Sequence, residues 1–152
     1  MEHKTVSLPG FRVAGIEVKT SNRDAMKDIP PLWQRFYSEG VQAKIPDKTD
    51  GDIVALYTDY EGDHTKPYTL LVGCKTKSVQ SLPEGISYRN VPAAKYEVFN
   101  AKGKMPDIVV STWQHVWGSD LQRTYSGDFE IYGKNSVDPE NAEVEIYIAV
   151  KA

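Results

Sequence analysis

The hydrophobic positions along the chain divide it into two similar series of predicted elements. Three stretches of the first series are rich in β-branched and aromatic residues and partly alternate with polar ones, which favours β-strands. These stretches are Phe11 to Lys19, Ile53 to Tyr60 and Tyr68 to Lys75. The second series predicts strands at Val91 to Asn100, Phe129 to Gly133 and Val144 to Lys151.

Each series also predicts one helix, because apolar residues recur at a spacing of three and four positions and so share one face. The first helix is expected from Ile29 to Glu39. Asp28 is its expected cap, and Pro30 and Pro31 fall in its first turn, where the missing N–H of proline needs no partner. The second helix is expected from Met105 to Trp117. Both series therefore have the order strand, helix, strand, strand.

The repeat is visible in the letters as well as in the pattern. A shift of about 80 residues places Trp33 on Trp113, and a shift of about 76 places Gly51-Asp52 on Gly127-Asp128. We therefore expect a single domain, 1–152, with an internal repeat of approximately 8–76 and 86–152. The fold class is α+β, with duplicated β-α-β-β units that pack together because neither covers its own apolar surfaces. The seam between two such units is a usual place for a small ligand.

Composition narrows the classes of function. The chain has 152 residues, and its 18 basic and 21 acidic residues give a net charge of −3, which argues against a nucleic-acid-binding surface. No apolar run is long enough to span a membrane, and the first seven residues are too polar for a secretory signal. The single cysteine, Cys74, forms no internal disulfide and fits a reducing cytoplasm. The scattered histidines and the absence of nucleotide motifs predict neither metal nor cofactor.

Glu130 is the residue that most clearly breaks the repeat. It stands where the first series has Val54, and strand alternation places it on the same face as Tyr132. A carboxylate in an otherwise apolar position is a candidate for a partly buried acid, and it is a natural counter-charge for a cationic ligand. The alternative is that Glu130 faces water on an open side of the sheet.

Aromatic residues supply candidate walls for such a site, since their faces attract cations. Tyr147 would line a pocket on the Glu130 face if the last two strands pair, and Glu145 is either a second acid or a solvated charge. The tryptophans on the predicted apolar helix faces form either plain core or a ligand cage. They are Trp33, Trp113 and Trp117.

These features together resemble the GyrI-like, or AraC-type, effector-binding domain of bacterial proteins. The resemblance is carried by the duplicated order, the helix with Leu32-Trp33, the Phe129 to Tyr132 strand and the closing Val144 to Val150 strand. It implies a central ligand cleft with aromatic walls and a glutamate that meets cationic, lipophilic ligands. Glu130 best matches that glutamate. The implied wall residues are Tyr132 and Tyr147, with Trp33, Tyr57, Tyr68 and Phe99 as looser candidates.

The expected function is therefore the binding of small lipophilic, cationic or aromatic molecules by a stand-alone effector-binding or sequestering protein rather than an enzyme. Family regulators carry a DNA-binding domain before this module, whereas here the first strand begins near Phe11. We therefore expect no direct nucleic-acid binding, and a separate regulator or target protein as partner. Two alternatives stay open. One is a small hydrolase that uses Glu130 and a tyrosine on electrophiles, and the other is a protein–protein inhibitor of the gyrase-inhibitor type.

Overall fold

The computed structural model describes residues 2–152, which form one eight-stranded antiparallel sheet and three helices. The strands are β1 (His3–Leu8), β2 (Phe11–Thr20), β3 (Ile53–Thr58), β4 (Tyr68–Thr76), β5 (Ser87–Val91), β6 (Ala94–Gly103), β7 (Asp128–Tyr132) and β8 (Ala142–Val150). The helices are α1 (Ala25–Ser38), α2 (Val41–Lys44) and α3 (Asp107–Trp117), and a 3₁₀ turn spans Lys134–Ser136. The α+β class expected from the sequence is confirmed.

The start of α1 differs from the sequence-based expectation. The helix begins at Ala25, so Pro30 and Pro31 lie inside it and Asp28 lies in its first turn, not at its cap. A turn leads the chain into the helix, since the backbone N–H of Asp28 donates to the carbonyl oxygen of Asp24 at 3.0 Å. The Asp28 carboxylate instead accepts a hydrogen bond from the Thr20 hydroxyl at 2.8 Å, which joins the helix to the end of β2.

The strand order is β1-β6-β8-β7-β3-β4-β2-β5. Each strand of the first half has an equivalent in the second half, so that β1 corresponds to β5, β2 to β6, β3 to β7 and β4 to β8. If every strand is exchanged with its equivalent, the same order is read from the opposite edge of the sheet, as a twofold arrangement requires. The outermost strand on each side comes from the opposite half, because β1 pairs with β6 and β5 pairs with β2. We call β1 and β5 the exchanged arms. The repeat boundaries, 8–76 and 86–152, stay a prediction.

Two short connections force the sheet to curl. Only Pro9 and Gly10 join β1 to β2, and only Pro92 and Ala93 join β5 to β6, although the joined strands lie near opposite edges of the sheet. Three Cα steps span at most about 11 Å, so the edges must approach each other. The two connections also lie close together, since a Cβ on Gly10 would lie 3.4 Å from the backbone nitrogen of Ala93. The inner surface of the curled sheet is thereby a closed apolar core.

The outer surface of the sheet carries the helices. Helix α1 packs on β2 and β4, and α3 packs on β6, which leaves the central strands β3 and β7 between them. Register places Tyr57 opposite Asp128 and Ala55 opposite Glu130. Side chains that point outward from β3 and β7 therefore project into the space between α1 and α3. Within residues 2–152, each helix is too short or too polar to cross a membrane.

Candidate functional site

Glu130 points from β7 into the space between α1 and α3 and is only 2% exposed. Its Oε2 accepts hydrogen bonds from the Tyr57 hydroxyl at 2.8 Å and from Nε1 of Trp113 at 2.6 Å. Its Oε1 accepts one from the Tyr132 hydroxyl at 2.5 Å. An indole N–H can only donate, and both carboxylate oxygens accept, so the arrangement fits an ionised carboxylate.

Donors, not a cation, compensate this buried charge. Burial raises the pKa of Glu130, and the hydrogen bonds from Tyr132, Trp113 and Tyr57 oppose that rise without cancelling it. None of the salt bridges formed within residues 2–152 involves Glu130. The negative charge of Glu130 is therefore held in a poorly solvated position where a positive group would stabilise it.

Five aromatic side chains surround this carboxylate, and we refer to them as the aromatic enclosure. Helix α1 contributes Trp33, whose ring lies 5.0 Å from that of Tyr132, and α3 contributes Trp113, whose ring lies 4.9 Å from that of Tyr57. Tyr68 of β4 completes the set at 5.5 Å from Tyr57. Burial and the nearby Glu130 charge raise the pKa of Tyr57 and Tyr132 well above the usual value, so both phenols stay neutral donors.

Two other candidate residues lie beside the enclosure. Trp117 is 6.5 Å from Trp113 and stacks on His64 at 6.3 Å. Phe99 is on the same outer face of the sheet, because it pairs with Ile146, but it is buried beneath α3. Its ring contacts His115 at 5.8 Å. Trp117 thus flanks the enclosure, whereas Phe99 belongs to the core under α3.

Tyr147 is not on the Glu130 face, so the sequence-based placement of this residue is wrong. The register of β7 and β8 pairs Glu130 with Ile146 and Phe129 with Tyr147, so Tyr147 points to the inner side of the sheet. There it stacks on Phe129 with ring centroids 4.4 Å apart. Glu145 pairs with Ile131 and also points away from Glu130. A single-residue difference in register reverses the face of every side chain on a strand.

Side chains from both helices close the site. Two open surface cavities lie elsewhere, one beside Tyr37 and Gly40 and the other beside Phe11 and Lys75. Trp113 is 7% exposed, and its indole covers the carboxylate of Glu130. A ligand therefore reaches Glu130 only after part of the aromatic enclosure moves.

A second buried carboxylate, Asp128, lies two residues before Glu130 on the same face and was not singled out as a site residue from the sequence. It is fully buried and forms a 2.7 Å ion pair with Arg123, whose side chain is 5% exposed. The Tyr60 hydroxyl donates to the same oxygen at 2.6 Å, and the Ala149 N–H donates to the other at 2.8 Å. The period-2 alternation of β7 was the one available signal, since it places Asp128 beside Glu130.

Comparison with known proteins identifies the family. The model of a family described as Cass2, integron-associated effector binding protein, matches residues 4–150. YobU of Bacillus subtilis strain 168, described as a candidate transcriptional regulator, is 35% identical over 147 residues, which cover 92% of each chain. The transcriptional regulator BrlR of Pseudomonas aeruginosa is 30% identical over 99% of this chain, which spans 56% of BrlR.

Solved structures share the fold. An integron cassette protein from the mobile metagenome of Vibrio cholerae superposes with a TM-score of 0.75 at 34% identity, over 98% of this chain and 95% of the other. The protein SAV2435, solved bound to tetraphenylphosphonium, superposes with a TM-score of 0.83 at 25% identity, over 100% of this chain and 95% of the other.

Proposed function

Since this chain belongs to the Cass2 family of integron-associated effector-binding proteins, a GyrI-like family, we propose that it binds lipophilic organic cations at Glu130. The observation that carries the proposal is the carboxylate itself. Glu130 is buried, three hydrogen-bond donors hold its carboxylate, and no cation within residues 2–152 forms a salt bridge with it. A buried charge without an opposite charge is costly, and it is retained at sites where a ligand supplies that charge.

The walls of the site support a lipophilic, charge-delocalised ligand rather than a small hydrated ion. Tryptophan and tyrosine faces attract cations and offer apolar area to aryl groups. The relative SAV2435 was solved with tetraphenylphosphonium, a cation whose charge is shielded by four phenyl rings. Such a ligand is compatible with a site in which stacking and one carboxylate contribute most of the binding energy.

Binding requires the aromatic enclosure to open. In the closed state the Trp113 indole donates to Glu130, so an entering cation replaces this hydrogen bond with a direct charge interaction. The ring of Trp33 bridges α1 to Tyr132, so movement of α1 or of this side chain opens the other side. Tryptophan fluorescence is therefore a direct reporter of ligand entry.

We infer an effector-binding or sequestering role in which the ligand-bound state acts through a separate regulator or target protein. The curated relatives are described as transcriptional regulators, which favours a regulatory context for ligand binding.

Calorimetry with tetraphenylphosphonium tests the proposal. Glu130→Gln keeps the size of the side chain and removes its charge, so it should weaken the cation by about 2–4 kcal/mol. The neutral ligand triphenylphosphine oxide should lose much less affinity. Glu145→Gln is the matched control, because Glu145 lies on the adjacent strand but points to the other face, and it should change neither affinity. Equal loss for both ligands in Glu130→Gln would mean that Glu130 only shapes the site, and no loss would contradict the proposal.

A hydrolase is the second candidate, and one observation favours it. The Glu130 carboxylate is within hydrogen-bond distance of two phenols, Tyr57 and Tyr132, as a general base beside an acid would be. Incubation with aryl epoxides, followed by chromatography for the diol, separates the two functions. Diol formation that Glu130→Gln abolishes would favour catalysis, and binding without turnover would favour the effector site. The gyrase-inhibitor type of function stays a prediction.

A further inference from the structure

Arg123 leaves two of its donors unused in a buried position. Its Nη2 donates to Asp128 at 2.7 Å, whereas its Nε and Nη1 are buried and have no hydrogen-bond partner within residues 2–152. The side chain is 5% exposed, so neither nitrogen has free access to bulk solvent. A buried donor without an acceptor costs about 1–3 kcal/mol, which is substantial against the stability of a small domain.

The surrounding groups do not supply the missing acceptor. Asp128 is already committed, because its Oδ1 accepts the Ala149 N–H and its Oδ2 accepts from Tyr60 and Arg123. The remaining neighbours are aromatic faces. The guanidinium lies 4.3 Å from the ring centroid of Tyr125, and Tyr125 has a left-handed backbone with φ of 55°. Arg123 is therefore fixed by one ion pair and by stacking, with two of its guanidinium nitrogens, Nε and Nη1, unpaired.

Trp113 lies against both Arg123 and the Glu130 site. Its Nε1 donates to Glu130 at 2.6 Å, and its ring lies 5.8 Å from the guanidinium carbon of Arg123. A ligand that displaces this indole from Glu130 therefore also removes a side chain that covers Arg123. The two polar centres, Glu130 and Arg123, then face the same ligand from either side of the position that Trp113 occupied.

The charges define what kind of ligand fits. Arg123 and Asp128 neutralise each other, and Glu130 leaves a net charge of minus one in the buried cluster. A monocation with a neutral hydrogen-bond acceptor brings this charge to zero and supplies an acceptor to one of the unpaired nitrogens of Arg123. A zwitterion would leave the cluster negative and would place an anion near two buried carboxylates, which is costly.

We propose that the site selects lipophilic monocations that carry a neutral oxygen acceptor, such as an ester, carbonyl or ether, and that one of the two unpaired nitrogens of Arg123, Nε or Nη1, donates to this oxygen. This inference rests on the proposed function, since it assumes that Glu130 holds the cationic part of the ligand. It assigns to Arg123 the recognition of a second chemical group.

Paired phosphonium ligands test the inference. One ring of tetraphenylphosphonium carries a methyl ester at the ortho, meta or para position, and each compound is compared with the isopropyl compound of the same position. The isopropyl group has a similar size but offers no acceptor. In the wild-type protein, calorimetry should show at least one ester that binds about tenfold tighter than its isopropyl partner, the effect of one hydrogen bond to a charged donor.

Arg123→Lys keeps a positive charge opposite Asp128 but replaces the planar fork with a single ammonium group. The ratio of ester to isopropyl affinity should fall to within about twofold. An ester preference that persists in Arg123→Lys would overturn the assignment. If this variant does not fold, the wild-type comparison decides alone, because three esters that bind no tighter than their isopropyl partners would overturn the inference.

The outcomes also separate this inference from the proposed function. Tetraphenylphosphonium binding that depends on Glu130 but shows no ester preference would leave the proposed function intact and reject the role of Arg123. That is the result expected if a buried water satisfies the two nitrogens. If none of the phosphonium compounds binds, both proposals fail.

Discussion

Replacing Trp113 by phenylalanine tests whether the buried charge of Glu130 depends on the donors that surround it. The substitution keeps an aromatic ring on α3 but removes Nε1–H, which donates to Glu130 at 2.6 Å. Loss of a hydrogen bond to a buried charged group costs about 1.5–3 kcal/mol, and the smaller ring adds about 1 kcal/mol of lost packing. The expected loss is about 2.5–4 kcal/mol, which a domain with a typical stability of about 5–15 kcal/mol survives.

The loss should depend on pH in a defined direction. Burial raises the pKa of Glu130 in the folded protein above its unfolded value, so folding stability falls as pH rises through the folded pKa. The Trp113 hydrogen bond lowers that pKa, so its removal raises the pKa further and enlarges the fall. The destabilisation by Trp113→Phe should therefore be small below the unfolded pKa of about 4.3 and greatest above the folded pKa.

Urea unfolding followed by circular dichroism from about pH 4 to about pH 8 measures this dependence. The same substitution in a Glu130→Gln background is the control, because position 130 then carries no ionisable group. In that background Trp113→Phe should lower the free energy of unfolding by at least about 1 kcal/mol less than it does in the wild-type protein. This loss should not depend on pH. A loss that is equal at both pH limits and in both backgrounds would show that Trp113 contributes packing alone and that the reasoning about the charge is wrong.

Three further outcomes follow from the structure. Burial raises the pKa of Glu130, and a bound cation favours its ionised form. Calorimetry in two buffers should therefore detect proton release on cation binding at mildly acid pH, and no release would argue against an acid in the site. Gly73→Ala should destabilise the fold by about 3 kcal/mol or more in urea titrations, because its Cβ would overlap the Ala14 carbonyl oxygen on the neighbouring strand. Burial raises the pKa of Cys74 to about 11, so thiol reagents should label it only on unfolding, and rapid native-state labelling would contradict its burial.

The sequence predicted elements well where one pattern dominates. The alternation in β7 placed Glu130 and Tyr132 on one face, and the helical spacing placed Trp33 and Trp113 on their helices. Each of these depends on local periodicity, which survives in the fold. The exchanged arms had no such signal, because β1 is a half-exposed edge strand with few apolar residues and its partner lies in the other half of the chain.

Strand register and loop conformation are the features that could not be predicted from the sequence. Both faces of β8 are covered, one by α3 and the other by the curled sheet, so the contrast between polar and apolar positions does not reveal which face Tyr147 occupies. Its pairing with Phe129 is set by contacts distant in sequence. Arg123 lies on an irregular segment before β7, and its approach to Asp128 depends on how that segment folds back over the sheet.

The exchanged arms have a consequence for synthesis on the ribosome. Of the eight described strands β1 emerges first, and it cannot pair at once, because its partners run from Ala94 to Phe99. The outer edge of β2 likewise stays open until β5 has been made. Neither half can be completed before the other has begun, so the nascent chain should gain protection from proteases late and nearly in one step. Arrested chains that end before β6 should be degraded readily, although they already contain every strand of the first half.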